Sequence, residues 1–101
     1  MNREEKLEIY RQLCWDYNIP PEDIEAVLNG EKKNAGHFNR DTLFIRILET
    51  YPWFTVIQLL EIEEIHKLLN RNIIGRLRSQ ALQKKYEFVR KRLQEIIQPS
   101  G

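Results

Sequence analysis

Apolar residues recur at helical spacing along most of this chain, and polar residues fill the positions between them. Leu7, Tyr10, Leu13, Cys14 and Tyr17 form a first stripe, preceded by Asn2 and Glu5 in the positions of a capping box. The pattern predicts a helix running to about Tyr17, closed by Pro20-Pro21, which no helix interior tolerates. Pro21 suits the first turn of a short second helix, about Pro21 to Leu28, presenting Ile24, Val27 and Leu28, with Asn29-Gly30 as its stop. Glu31 to Asn39 is polar and reads as a loop. A third helix follows with Asn39 as N-cap, Phe38 and Leu43 placed as a hydrophobic staple, and Leu43, Phe44, Ile47, Leu48 and Tyr51 on one face until Pro52. Trp53 to Leu60 is apolar on most sides, which predicts a central fourth helix. Ile62 to Leu69 predicts a fifth, and Asn70 and Asn72 are stop and start candidates. From Ile73 to Ile97 the stripe Leu82, Tyr86, Val89, Leu93, Ile96 predicts a long last helix, with a bend or break near Gly75 and Ser79.

These elements give an all-α fold: a single compact domain over residues 1–98 with five to seven helices, a long basic C-terminal helix, no sheet, and a frayed tail over 99–101. The expected core is Leu13, Trp15, Val27, Leu43, Phe44, Ile47, Leu48, Val56, Ile57, Leu60, Leu68, Leu69, Leu82, Tyr86, Val89 and Leu93. The 101 residues suffice for one core, and 4 Gly with 4 Pro are too few for a turn-rich β-sandwich. One cysteine, Cys14, allows no internal disulfide. The charged N-terminus leads into no apolar signal segment, and no apolar run approaches the ~20 residues of a membrane span. A cytoplasmic protein that does not enter membranes is the expectation.

Net charge is +1 but unevenly spread. Residues 1–70 carry 8 Lys/Arg against 13 Asp/Glu, a net of −5, and residues 71–101 carry 8 Lys/Arg against 2 Glu, a net of +6. Such a split marks either an anionic partner or two halves that attract each other. Arg76, Arg78, Lys84, Lys85, Arg90, Lys91 and Arg92 are the residues a nucleic-acid surface would use. They spread over several faces of the last helix, whereas phosphate tracking favours a stripe, and the sequence shows no base-stacking aromatic with them. The short helices between Trp53 and Arg78 lack the turn glycine and the base-reading set of a helix-turn-helix.

Signatures of catalysis are mostly missing, and the loop around His37 is the weakest of three functional readings, as an enzyme or ligand-binding site. Gly30 to Gly36 is too widely spaced for a phosphate loop, His37 stands where its lysine would be, and Ser79 and Ser100 lie in no nucleophile motif. One cysteine and the separated His37 and His66 cannot make a metal site on their own; His66 lies with Glu63 and Glu64 on a polar helix side, and His37 sits in the loop beside Phe38. The sequence thus assigns no catalytic residue, no metal ligand and no cofactor.

Cys14-Trp15-Asp16-Tyr17 places an acid between two large aromatics at the wrong end of a helix dipole. Asp16 therefore needs a cation or backbone donors, with Arg40 and Arg46 on the third helix as candidates. The segment reads either as an internal staple or as a recognition patch of Trp15, Asp16, Tyr17, Arg40, Arg46 and Trp53. Together with Leu43-Phe44-Ile45-Arg46-Ile47-Leu48-Glu49, Trp53 and Lys85-Tyr86-Glu87-Phe88-Val89-Arg90, this segment resembles a group of small bacterial helical proteins of unknown function. The likeness runs from about Cys14 to Leu93. It implies an antitoxin-type partner of a nucleotidyltransferase-type toxin, and it carries over no catalytic residue. The expected function is non-enzymatic protein interaction, with a small nucleic-acid-binding regulator as the alternative.

Overall fold

The computed structural model describes residues 1–97, so the expected frayed tail over 99–101 lies outside the described residues. The elements are α1 (Arg3–Leu13), a 3₁₀ turn (Trp15–Tyr17), α2 (Pro21–Leu28), β1 (Asn34–Ala35), β2 (Phe38–Asn39), α3 (Arg40–Thr50), α4 (Trp53–Leu59), α5 (Ile62–Leu68), α6 (Arg71–Gly75) and α7 (Gln80–Ile96). The fold is all-α apart from one minimal hairpin. The chain divides into two compact units, Met1–Leu59 and Leu60–Gly101.

In the first unit α2 packs on both α1 and α3, and α1 also touches α3. Tyr10, Leu13, Ile24, Val27, Leu43, Phe44, Ile47 and Val56 are among its buried side chains. The helices start where the sequence supplies caps. Asn2 accepts from the Glu5 amide at 2.8 Å, and the Glu5 carboxylate accepts from the Asn2 amide at 3.1 Å. Asn39 accepts from the Thr42 amide at 2.9 Å, with the Thr42 hydroxyl accepting in return. Each pair satisfies amides that helix geometry leaves without partners. Pro21 opens α2 as its first residue.

Three expectations fail here, each for a local reason. The first helix stops at Leu13 rather than Tyr17. Cys14 leaves helical geometry, Trp15–Tyr17 winds into a 3₁₀ turn closed by the Tyr17 amide on the Cys14 carbonyl, and Asn18 adopts a left-handed φ of 52°. This tighter winding turns Trp15 outward, so the expected core residue is 77% exposed. Next, the segment expected to be a plain loop contains a hairpin, with Asn34 opposite Asn39 and Ala35 opposite Phe38. Gly36 and His37 make the two-residue turn; Gly36 has φ +60°, the first position of a type II′ turn, where a side chain is strained. Lastly, α4 buries Val56 and Leu59 but leaves Phe54 and the expected core residue Ile57 exposed, so it is not covered on all sides. A seven-residue helix offers one stripe to a core, and 54 and 57 fall on the other stripe.

The second unit runs from Leu60 through α5, α6 and α7, with α7 in contact with both α5 and α6. Leu60, Ile65, Leu68, Leu69, Ile73, Ile74, Leu77, Tyr86 and Leu93 are buried. The expected break near Gly75 and Ser79 is present: α6 ends at Gly75, and Ser79 caps α7 by accepting from the Leu82 amide at 3.1 Å. Asn70 caps α6 by accepting from the Ile73 amide at 2.9 Å. The inner stripe of α7 is narrower than expected. Leu82 and Val89 are half-buried, and Ile96, in the last turn, is exposed.

Candidate functional site

Arg46, in the middle of α3, organises the most concentrated cluster of the first unit. Its Nε donates to the Leu13 carbonyl at 2.9 Å. That carbonyl belongs to the last turn of α1, where carbonyls lack helical partners and the dipole favours a cation. The Arg46 guanidinium lies 5.4 Å from the Tyr17 ring centre and 5.6 Å from that of Phe38, within cation–π range. Its Nη2 stands 3.6 Å from Asp16 Oδ1. Of the two arginines expected to meet Asp16, Arg46 does so, but not as a buried staple. The Asp16 side chain is 45% exposed, and 3.6 Å is an ion pair rather than a good hydrogen bond. The firm attachment of α1 to α3 is the bond to Leu13.

Around this guanidinium three rings interlock. Tyr17 meets Phe38 edge-on at 4.9 Å and 87°, Tyr17 meets His37 at 4.9 Å and 67°, and His37 stacks on Phe38 at 4.6 Å and 26°. The Gly36-His37 turn is what sets His37 and Phe38 against Tyr17. Sequence reasoning noted His37 but found it no partners, because the hairpin that delivers it was read as loop. Glycine followed by one residue between Ala35 and Phe38 was the available signal. Arg40 and Trp53, named with this group from the sequence, stand half-buried at the first positions of α3 and α4.

Trp15 projects beside this cluster. It borders an open groove of about 550 Å³ whose lining includes Arg11, Cys14, Asn18, Ile19 and Pro20. Cys14 is buried, and burial pushes its thiol pKa up against the opposing pull of Arg46. Two tyrosines brace the unit behind it. Tyr51 donates to the Ile9 carbonyl at 3.3 Å, and Tyr10 reaches the Leu59 carbonyl at 3.5 Å. Burial holds both phenols above their ordinary range, Tyr10 at about 12.

In the second unit the seven cations expected to form a nucleic-acid surface sort into two kinds. Arg90 is committed to Glu87, its side chain only 11% exposed, and that hydrogen bond raises Arg90 and lowers Glu87. Arg92 pairs with Glu95 at 3.3 Å, and Lys85 lies 5.3 Å from the Tyr86 ring centre. Arg76 and Arg78 are exposed in the link between α6 and α7. Lys84 and Lys91 are exposed and, among the described residues, have no ion-pair partner. They flank Phe88, whose ring is 65% exposed, along a groove of about 590 Å³ between Ile74 of α6 and the outer face of α7. The sequence reading found no aromatic among these cations; Phe88 is one, and it was missed because only the inner stripe of α7 was followed.

Among the described residues no group of three His, Cys, Asp or Glu side chains is placed to hold a metal ion, and no helix is long and apolar enough to cross a membrane. Comparison with protein-family models, with curated proteins and with solved structures finds no match to this chain.

Proposed function

We propose that this chain is a non-enzymatic, cytoplasmic protein-interaction module whose first unit recognises a separately encoded protein through Trp15 and the rings beside it. The observation that carries the reading is Trp15 itself, 77% exposed on a turn whose neighbours are fixed. Leaving a tryptophan in water forgoes roughly 1.5–3 kcal/mol of burial, which a binding partner recovers. Arg46 holds the adjacent Tyr17 through its ring contact and the end of α1 through Leu13, so the surface loses little freedom on binding. Aromatic and arginine side chains on a rigid base are the composition of interface hot spots. An antitoxin-type role beside a toxin partner is the specific form suggested by the resemblance of the Cys14–Tyr17 and Leu43–Glu49 segments.

Affinity capture from the native host, with wild-type and Trp15→Ala baits compared by mass spectrometry, tests this. The expected result is a protein retained by the wild type and lost with Trp15→Ala while the helical circular dichroism is unchanged. Equal retention by both baits overturns the proposed surface.

A further inference from the structure

The groove along α7 has a chemistry of its own. Lys84, Phe88 and Lys91 are spaced by four and three residues, so they share one face of the helix. At 1.5 Å of rise per residue the two ammonium groups start from backbone positions roughly 10 Å apart, with the ring between them. The ring is bare and the two lysines have no ion-pair partner among the described residues, whereas the arginines of the same helix, Arg90 and Arg92, are held by Glu87 and Glu95. Among the described residues that line the groove the one carboxylate, Glu87, is bonded to Arg90, and the charges of Lys91 and Arg71 also draw its pKa down. From Leu60 on, 9 Lys/Arg stand against 5 Glu.

We propose that this groove is a binding site for single-stranded nucleic acid, with a base stacked on Phe88 and the flanking phosphates held by Lys84 and Lys91. Each feature selects for that ligand. An aromatic face bracketed by cations is the stacking-and-phosphate arrangement that single strands use, and it tolerates any base because every base has a π-face. A duplex keeps its bases stacked on each other, so it leaves Phe88 unused. The arginines of α7 are already paired, which leaves the groove two lysine ammonium groups that hold phosphate as point charges, and a carboxylate-bearing peptide is the competitor the test below includes. The site shares no residue with the Trp15 surface and stands or falls without it.

Fluorescence anisotropy with labelled oligothymidylate and oligouridylate tests the site, and comparing the two separates DNA from RNA. Matched hairpin duplex and polyglutamate serve as competitors. The expected result is single-strand binding tighter than about 100 μM at low salt. Phe88→Ala should weaken it roughly 5- to 100-fold, the range for losing one stacked base. Lys84→Gln with Lys91→Gln should make the slope of log affinity against log salt shallower by about 1.4, two phosphates' worth for a single strand. These residues are exposed, and unchanged thermal unfolding of each variant verifies that the fold is intact. No binding by the wild type, duplex or polyglutamate competing as well as single strand, or a Phe88→Ala variant that binds as the wild type does would each overturn the proposal.

Discussion

The Arg46 cluster and the α7 groove both join cations to aromatic rings, yet they use them in opposite ways. In the first unit the guanidinium is engaged from four directions, by the Leu13 carbonyl, Asp16, Tyr17 and Phe38, and the side chain left over is the apolar Trp15. On α7 the arginines are engaged by carboxylates one turn away, and those left over are two lysines and Phe88. A cation that already has its partners is part of the structure. Lys84 and Lys91, with no ion pair among the described residues, are the ones the proposed site uses. Residue type and net charge do not distinguish the two; contact geometry does.

The largest effect should come from removing the engaged cation. Arg46→Ala deletes a charged hydrogen bond and two ring contacts, and denaturant unfolding should show a loss of about 2–3 kcal/mol. Arg46→Lys should recover only part of it, because an ammonium cannot reach the carbonyl and face the rings as the planar fork does.

The phenol behind the cluster gives an effect of similar size that depends on pH. The folded-state pKa of Tyr10 is raised from its ordinary 10.0 to about 12, so the unfolded chain loses this proton first as pH rises. Its contribution is complete below pH 10.0 and is lost as pH climbs toward about 12. Roughly 2–3 kcal/mol of stability should disappear across that window. Denaturation at stepped alkaline pH should show a shallower fall for Tyr10→Phe than for the wild type.

The Asp16–Arg46 pair should contribute far less. Both groups are partly exposed, and such pairs couple by under about 1 kcal/mol. A double-mutant cycle measures this; a coupling of 3 kcal/mol or more, the roughly expected size for a buried pair, would return Asp16 to the role of internal staple.

How much of this was legible beforehand differs between the fold and the sites. Caps and breakers are local, so Asn2, Pro21, Asn39, Pro52 and Ser79 marked helix boundaries that the structure places within a residue or so. The end of α1 was not legible, because Leu7, Tyr10, Leu13, Cys14 and Tyr17 continue the helical period past the point where the backbone tightens. The hairpin was missed because two-residue strands are too short to show alternation. Trp15 and Ile57 were misplaced because apolar character states a preference for burial, while a short helix has only one face to bury. The pairing of Asp16 with an α3 arginine was readable from charge logic. That Arg46 spends its best hydrogen bond on a backbone carbonyl was not, since a carbonyl carries no sequence signal.

The most direct test of the division between engaged and offered side chains is the unfolding free energy of Trp15→Ala measured beside that of Arg46→Ala. If Trp15 is a surface offered to a partner, its removal leaves stability within about 0.5 kcal/mol of the wild type, as at other exposed positions. If Trp15→Ala instead costs the ~3–5 kcal/mol of a buried tryptophan, Trp15 belongs to the core and the account of the first unit as a recognition surface is contradicted.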